Sequence, residues 1–456
     1  MTNYDIFSPT DFRYSVEGLK PYLTEEAYVK YKAKVEAALV KTLAKNRICS
    51  AKIADEIIKA ASKVTASETY REEARIKHDI RALANMIRKR VSNKAKPYVH
   101  LGATSYDIVD TANVLRYKDA ARNVIIPDML KLLKLWIALA KKYRNTVQMG
   151  RTHGQHAEPI TFGFTMAQYI NRWGDRIENL KSSTERLVGK FSGAVGAYNA
   201  TSILFNDPVK FEKEVLAELG LKPANISTQV VPPEPVTDFL HSLTSSFGVI
   251  ANFSDDMRHL QRSEISEVCE LQENNQVGSS TMPQKKNPIN FENVKSMFKI
   301  FMPRMVTVYL DMISEHQRDL TNSCSQRYIP ELLVGFDSSV LRIIKVSGKL
   351  QVDEKGLAKN FNQSRDKVVA EPLYIILAYY GHPDAHEYVR ELVKKSTETG
   401  MTLLGLMSED NSVKPYFKKF TKKQKDIISK PEKYIGAADK KVDAIVKIWE
   451  DKCHNL

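Results

Sequence analysis

The stretch EEAYVKYKAKVEAALVKTLAKN, residues 25–46, indicates what kind of fold the chain adopts. Its apolar residues recur at three- and four-residue spacing, which places them on one face of an α-helix. Similar spacing runs through most of the 456 residues, and candidate strands are few. Glycine is also scarce, at 19 residues or about 4%, against about 7% in average proteins. We therefore predict a nearly all-α fold.

Two further segments support this prediction. Asp207 is a suitable N-cap, Pro208 fits a first turn, and Gly220 follows the last periodic residue, so a helix with both ends marked is expected. The run MLKLLKLWIALAKKY, residues 129–143, is apolar on all sides except for a narrow lysine stripe. A helix so apolar belongs inside a bundle or at a subunit interface.

The helical pattern breaks where proline, glycine and polar residues gather. Four such stretches are residues 94–107, 230–238, 276–290 and 348–356. We take the first and the last as domain boundaries. They divide the chain into an N-terminal helical domain, 1–102, a central long-helix bundle, 103–348, and a C-terminal helical domain, 349–456.

Composition argues against several classes of protein. No apolar run reaches the ~18–20 residues of a membrane span, and the N-terminus lacks the pattern of a signal peptide. The four cysteines form no C-x-x-C pair, which argues against zinc and disulfides and favours the cytoplasm. The net charge of +14 fits an ordinary basic protein, and it also fits binding of an anionic small molecule or of nucleic acid. Because the lysines are spread along the helices, charge alone favours neither of these two ligands.

The segment GSSTMPQKKNP, residues 278–288, is the strongest signal of chemistry. Its glycine and two serines permit mobility and close approach of the backbone. Lys285 and Asn287 are suited to holding a carboxylate, and a mobile loop that closes over an anion also excludes water. Taken alone, such a segment is more often a surface loop between helices.

A second segment, GRTHGQHAEP at residues 150–159, contains two histidines and an arginine. Histidine is the side chain best suited to proton transfer near neutral pH. A single histidine is more often structural. Two of them within four residues, His153 and His156, beside Arg151 and flanked by glycine, favour a site.

The third segment is HLGATSYDIVDTA, residues 100–112. Thr104 and Ser105 are suited to capping the helix that follows. The same hydroxyls, with the free N–H groups of a helix start, can also bind an anion. The residues alone leave both interpretations open.

Together these three segments resemble the fumarase/aspartase superfamily. Its signature loop, G-S-S-x-M-P-x-K-x-N, is matched at every fixed position. Further similarity indicates the adenylosuccinate lyase family within it, and extends from residue 13 to about 450. The segments that carry it are Arg13-Tyr14, Lys77-His78-Asp79, residues 317–327 (QRDLTNSCSQR), residues 370–373 (AEPL) and residues 385–390 (AHEYVR). One departure follows Gln229-Val230-Val231, where the family usually places an Arg-Asp pair and this chain has Pro232-Pro-Glu-Pro-Val.

The resemblance implies β-elimination of fumarate from adenylosuccinate and from SAICAR, without a metal or other cofactor. It makes Ser279 the base, held as an alkoxide or ready to become one through nearby donors and Lys285. It makes His153 the general acid and Glu292 the carboxylate that pairs with this histidine, which would favour the protonated ring that an acid requires. His78 would be a second active-site histidine.

The resemblance also implies which residues bind the substrate. The succinyl carboxylates would be held by Lys285 and Asn287, with Thr104, Ser105, Thr152 and Gln229 completing the pocket. The phosphate and ribose end would be held by Arg13, Tyr14, Arg318, Ser323 and Arg327, since planar arginine forks suit phosphate oxygens. Asp79 would join His78 at the site. Against a substrate with two carboxylates and a phosphate, the surplus of basic residues fits electrostatic steering.

Superfamily members are homotetramers, so the resemblance implies active sites shared between subunits, with no nucleic-acid or membrane partner. Two alternatives stay open. One is another superfamily lyase, such as argininosuccinate lyase or a carboxymuconate cycloisomerase, against which Arg13-Tyr14 and residues 317–327 argue. The other is a basic helical scaffold protein without catalysis, against which the intact Ser279, His153 and Lys285 argue.

Overall fold

Helices dominate the chain, as the apolar spacing predicts. The computed structural model describes residues 7–271 and 280–453. Its α-helices, in chain order, are α1 (Lys20–Leu23), α2 (Glu25–Lys45), α3 (Ala51–Ala61), α4 (Ala66–Ile76), α5 (Asp79–Arg88), α6 (Ser105–Ala120), α7 (Ile126–Lys142), α8 (Phe162–Glu185), α9 (Pro208–Ala217), α10 (Glu234–Leu260), α11 (Ile289–Phe301), α12 (Arg304–Leu310), α13 (Ile329–Ser347), α14 (Glu354–Ser364), α15 (Ala370–Tyr379), α16 (Ala385–Thr399), α17 (Leu403–Glu409), α18 (Lys414–Lys419), α19 (Lys422–Ser429) and α20 (Ala438–Cys453).

Two of the predicted helices are confirmed closely. The opening stretch forms α2, which begins after the N-cap Thr24, whose hydroxyl accepts the N–H of Ala27 at 3.2 Å. In α9, the Asp207 carboxylate accepts the N–H of Lys210 at 2.9 Å, and Pro208 is the first helical residue. These side chains satisfy N–H groups that a helix start leaves without an intrahelical partner.

The long helices α8 and α10 have 24 and 27 residues. The apolar run at residues 129–143 forms most of α7, and its Trp136 is fully buried. The ring of Trp136 packs 4.6 Å from Phe253 and 5.9 Å from Trp173, measured between ring centroids. Within the described residues, no helix is both long and apolar enough to cross a membrane.

The prediction of a nearly all-α fold is confirmed only in part: the fold is mainly helical, but it also contains short strands. They form three two-stranded sheets: β1 (Val147–Thr152) with β2 (Gln155–Thr161), β3 (Val188–Gly189) with β4 (Lys222–Pro223), and β5 (Val268–Cys269) with β6 (Gln351–Val352). The β1–β2 hairpin occupies the histidine-containing segment. At Gly150 an added Cβ would lie 2.5 Å from the carbonyl oxygen of Glu158, so the paired strands leave no room for a side chain there.

The chain divides into two compact units. Unit 1 comprises residues 1–130, 175–250 and 296–342, described from residue 7 onward. In its core Phe247 packs against the rings of Phe298 and Phe336. Unit 2 comprises residues 131–174, 251–295 and 343–456, outside the gap at 272–279 and the last three residues. Its C-terminal helices enclose a separate apolar cluster that includes Leu373, Leu377 and Leu403.

Candidate active site

A β-hairpin in unit 2 carries the histidine predicted as general acid. His153 and Gly154 form the two-residue turn between the paired residues Thr152 and Gln155. Both turn residues have positive φ, 53° and 75°, as a type I′ turn requires. A non-glycine residue seldom adopts this conformation, which often marks a functional position. The turn leaves Thr152 and His153 exposed at the tip of the hairpin.

A buried carboxylate anchors this hairpin. Glu267 is fully buried and accepts hydrogen bonds from Arg151 Nη2 at 2.6 Å, Gln148 Nε2 at 2.8 Å and Asn360 Nδ2 at 2.8 Å. Breaking such a buried pair is strongly destabilising, because it leaves an uncompensated charge. Sequence reasoning missed Glu267, since its partners are distant in the chain and no local spacing marks it.

The second histidine of the hairpin segment has a different environment. His156 Nδ1 lies 2.7 Å from the hydroxyl oxygen of Ser364. Burial, with a smaller contribution from the Arg151 guanidinium, lowers the pKa of His156. This histidine is therefore kept neutral beside Ser364 at the end of α14, whereas His153 is exposed at the tip of the hairpin.

The signature loop falls partly outside the described residues. Gly278 and Ser279, the predicted base, lie in the part that is not described. Lys285 is exposed, and Asn287 is half-buried. The carbonyl oxygen of Lys286 accepts a hydrogen bond from Gln261 Nε2 at 3.1 Å, which ties the end of the loop to the residues that follow α10.

A second buried carboxylate fixes the start of α11, directly after the loop. Glu270 accepts the N–H groups of Asn290 at 3.2 Å and Phe291 at 2.8 Å, and also Asn290 Nδ2 at 2.9 Å. Burial raises the pKa of Glu270, against the effect of these hydrogen bonds. Glu292 follows as an exposed residue in the first turn. No hydrogen bond or ion pair joins Glu292 to His153 in the described part of the chain, so their pairing stays a prediction.

In unit 1, a cavity of about 450 Å³ brings together six residues predicted from the sequence. They are His78, Asp79, Ser105, Arg318, Ser323 and Arg327. The other charged groups on its wall are Glu25, Glu73, Lys77 and Arg116. Cations and carboxylates thus line the same space, which suits a ligand that carries both phosphate and hydrogen-bonding hydroxyl groups.

His78 has a defined hydrogen-bonding role at this cavity. It is the N-cap of α5, and its Nδ1 accepts the N–H of Arg81 at 3.2 Å. A neutral ring with Nδ1 as acceptor carries its proton on Nε2, so His78 can donate a hydrogen bond to a ligand. Asp79 Oδ1 accepts the N–H of Ile80 at 2.7 Å. Its Oδ2 lies 4.0 Å from Lys32 Nζ.

Beneath Asp79, an aromatic ring lies between two cations. Lys32 Nζ is 4.1 Å and Arg116 Cζ is 4.2 Å from the centre of the Tyr28 ring. Burial lowers the pKa of Lys32, partly opposed by the carboxylate of Asp79. Tyr28 and Arg116 line the cavity but were missed from the sequence. The helical period of residues 25–46 places Tyr28 and Lys32 in the core, and it carries no signal of a ligand.

The predicted hydroxyl pair lies at the start of α6. The N–H of Thr104 donates to Asp107 Oδ2 at 2.9 Å, and Asp107 also pairs with the buried Lys190. Thr104 occupies the N-cap position of α6, as predicted, and Asp107 accepts its backbone N–H. Ser105, the first helical residue, lines the cavity. Its role in anion binding stays a prediction.

A second cavity of about 660 Å³ lies in the same unit. Its wall shares Tyr106 and Arg318 with the first cavity and includes Pro232 and Pro233, where the family usually places Arg-Asp. Gln229 Oε1 accepts a hydrogen bond from Arg318 Nη1 at 2.9 Å. Burial raises the pKa of the lining residue Asp110 to about 6.

Arg13 and Tyr14 are not among the residues that line either cavity. Arg13 is exposed, with Cζ 5.3 Å from the centre of the Phe12 ring, and Tyr14 is half-buried. These two predicted residues therefore do not share the wall of either cavity with the others. Among the described residues, no three His, Cys, Asp or Glu side chains form a group that could hold a metal ion.

Two family models match the chain. Residues 14–301 match a model described as lyase, and residues 314–434 match one described as adenylosuccinate lyase C-terminal. Since the first match covers more than half of the chain, the protein belongs to this lyase family. An adenylosuccinate lyase of Archaeoglobus fulgidus is 34% identical, covering 97% of this chain and 98% of the relative. One of Pyrococcus abyssi is 36% identical, covering 97% and 98%. Within the lyases, the chain is thus a member of the adenylosuccinate lyase family.

Solved structures share the fold at lower identity. A fumarate lyase from Mesorhizobium sp. BNC1 aligns with a TM-score of 0.83 at 22% identity, covering 95% of this chain and 98% of that one. A 3-carboxy-cis,cis-muconate lactonizing enzyme from Pseudomonas putida aligns with a TM-score of 0.85 at 23% identity, covering 97% and 99%. At this identity, the alignments establish the architecture alone.

Proposed function

We propose that the protein eliminates fumarate from adenylosuccinate, giving AMP, and from SAICAR, giving AICAR, in purine nucleotide biosynthesis. The observation that carries this proposal is the 450 Å³ cavity, because six predicted site residues line it, and three of them, Arg318, Ser323 and Arg327, are expected at the phosphate and ribose end. Arg318 and Arg327 suit phosphate oxygens, since a guanidinium forms paired hydrogen bonds with them. The names of the full-length relatives support the same substrate.

The proposed reaction breaks one C–H bond and one C–N bond. Ser279 takes the proton from the carbon next to a carboxylate, and charge builds on that carboxylate as an aci-carboxylate. The electron pair then forms the double bond of fumarate, while the pair of the C–N bond leaves with the nitrogen. His153 donates a proton to this nitrogen, and Glu292 is the carboxylate proposed to pair with this histidine. Lys285 and Asn287 hold the succinyl carboxylates and stabilise the developing charge.

Assembly into a homotetramer is part of the proposal, because the hairpin residues Thr152 and His153 are exposed and an elimination site has to exclude water. Exposed apolar side chains on α12 and just after it support a subunit interface: Val306 is 62% and Ile313 is 77% exposed. The three predicted domains and a central bundle shared between copies belong to the same proposal. So do a cytoplasmic location, supported by four free cysteines, and the absence of nucleic-acid or membrane partners.

An absorbance assay with adenylosuccinate, SAICAR and argininosuccinate tests the proposal. We expect turnover of the first two and none of the third. Ser279→Ala should abolish turnover while AMP binding persists, and the neighbouring Ser280→Ala is the matched control. Turnover of argininosuccinate alone would assign the protein to another branch of the family. No turnover of any substrate by a tetramer that is intact would favour a scaffold protein instead.

A further inference from the structure

The side chain of Arg318 contacts an aromatic ring, that of Tyr106, and a side-chain amide, that of Gln229. Its guanidinium carbon lies 3.5 Å from the centre of the Tyr106 ring. Its Nη1 also donates a hydrogen bond to Gln229 Oε1 at 2.9 Å. The ring face carries negative charge and attracts a cation, while the carbonyl oxygen takes one guanidinium N–H. Two contacts of different kinds thus hold one side chain in one direction.

The two partners of this contact lie on different kinds of backbone. Residues 314–321, between α12 and the short helical turn at Ser325–Tyr328, form no helix or strand. Tyr106, in contrast, is the second residue of α6, whose start is fixed by the Thr104–Asp107 contact and the buried Lys190. The ring therefore extends from a helix with a fixed start, and the arginine from a segment without regular secondary structure.

Tyr106 also stands at the wall that the two cavities share. Burial raises the pKa of Tyr106, so its phenol stays neutral at physiological pH. An uncharged ring leaves all of the guanidinium's charge available to a ligand. A carboxylate at the same place would neutralise that charge and compete with a phosphate for its N–H groups.

We propose that Tyr106 is a positioning residue: it holds the Arg318 guanidinium ready for the phosphate of the nucleotide. This inference rests on the proposed function and adds a residue to it. Neither the signature loop nor the hairpin contains this residue. A pre-oriented arginine loses less conformational freedom when it binds phosphate, so the ring strengthens binding through Arg318.

Calorimetric titration of the full-length protein with AMP tests this role, with adenosine as the ligand that lacks a phosphate. Tyr106→Leu should raise the Kd for AMP about three- to tenfold, the range of an exposed to a partly desolvated cation–π contact. Tyr106→Phe, which keeps the ring face, should restore affinity to within about twofold of the unaltered protein. The Kd for adenosine should be the same in all three proteins. Equal losses in the Leu and Phe variants would overturn the role of the ring face.

A double-mutant cycle separates positioning from a general disturbance of the cavity. In an Arg318→Ala background, Tyr106→Leu should cause no further loss of AMP affinity, because the ring then has nothing to hold. A further loss as large as in the Arg318 protein would refute the proposal. Failure of the proposed function gives a different result, since the unaltered protein would then not bind AMP at all. Thermal melting of each variant shows whether it is folded.

Discussion

The two units of the chain present their candidate residues in contrasting ways. In unit 1, six predicted residues line one cavity, where His78 is fixed by its capping hydrogen bond and Arg318 by its contacts with Tyr106 and Gln229. In unit 2, His153, Lys285 and Glu292 are exposed, although the elements that carry them are firmly anchored by Glu267 and Glu270. One group of residues forms a binding pocket, and the other is displayed at the surface.

This difference indicates which function a single copy of the chain can perform, and which function depends on assembly with other copies. A pocket lined by cations and ordered side chains can bind a phosphate on its own. A proton-transfer group has to lie within hydrogen-bonding distance of the reacting atom and away from bulk water. An exposed hairpin tip meets the second condition only when another surface covers it. The comparison therefore predicts that binding and chemistry respond differently to substitution.

The largest effect is expected at the hairpin. His153→Asn should lower kcat by about 10²- to 10⁴-fold, the usual contribution of a general acid, while AMP affinity changes little. His156→Asn is the matched control, because His156 is bonded to Ser364 and should matter mainly for packing. Steady-state kinetics with adenylosuccinate measures both. An equal loss of kcat in the two variants would contradict the assignment of His153, rather than His156, as the general acid.

Complementation between copies comes next. His153→Asn and His78→Asn alter different units, and each variant alone should be nearly inactive. If a site takes its hairpin and its cavity from different copies, co-expression should leave about one quarter of the sites with both segments intact. Activity should then recover to roughly that fraction of the unaltered enzyme. Activity no higher than that of the separate variants would show that each site is built within one copy.

A smaller effect is expected at the cavity. Arg327→Ala should raise the Kd for AMP about ten- to a hundredfold, since a charge-assisted hydrogen bond contributes roughly 1.5–3 kcal/mol. Fumarate binding should change much less, because fumarate carries no phosphate. Arg186→Ala is the control: Arg186 is exposed, belongs to the same unit and pairs with Asp238. If both variants bind AMP equally well, the cavity is not the phosphate site.

The sequence predicted the fold and the segments better than it predicted their geometry. Helical spacing and the cap at Asp207 depend on neighbouring residues, so a local pattern reveals them. The hairpin was not foreseen, because two histidines and an arginine obscure the alternation that would mark its strands. Glu267 and Tyr106 were missed for another reason: their importance arises from contacts with Arg151 and Arg318, which the sequence places far away.

The contrast between the units extends to two buried carboxylates. Glu267 in unit 2 has three donors, whereas neither carboxylate oxygen of Asp337, on α13 in unit 1, has a hydrogen-bond partner within the described residues. Burial, with the charge of Asp128, raises the pKa of Asp337 to about 8. We predict that Asp337→Asn makes stability less dependent on pH. Chemical unfolding of both proteins at several pH values between about 5 and 9 measures this.

The direction of this effect follows from proton binding. An unfolded aspartate releases its proton near pH 3.8, the ordinary value, while folded Asp337 keeps its proton up to about pH 8. Its contribution to stability is complete below pH 3.8 and is lost as the pH rises through 8, at up to about 1.4 kcal/mol per unit. Asparagine cannot ionise. The stability of the variant relative to the unaltered protein should therefore increase as the pH rises, even if the buried amide lowers its stability at pH 5.

Asp238→Asn, on the exposed surface of the same unit, controls for the loss of one carboxylate. If the stability of Asp337→Asn and that of the unaltered protein change in parallel with pH, Asp337 is ionised and has a partner in the folded chain. The proposed difference between Asp337 and the hydrogen-bonded Glu267 would then be wrong.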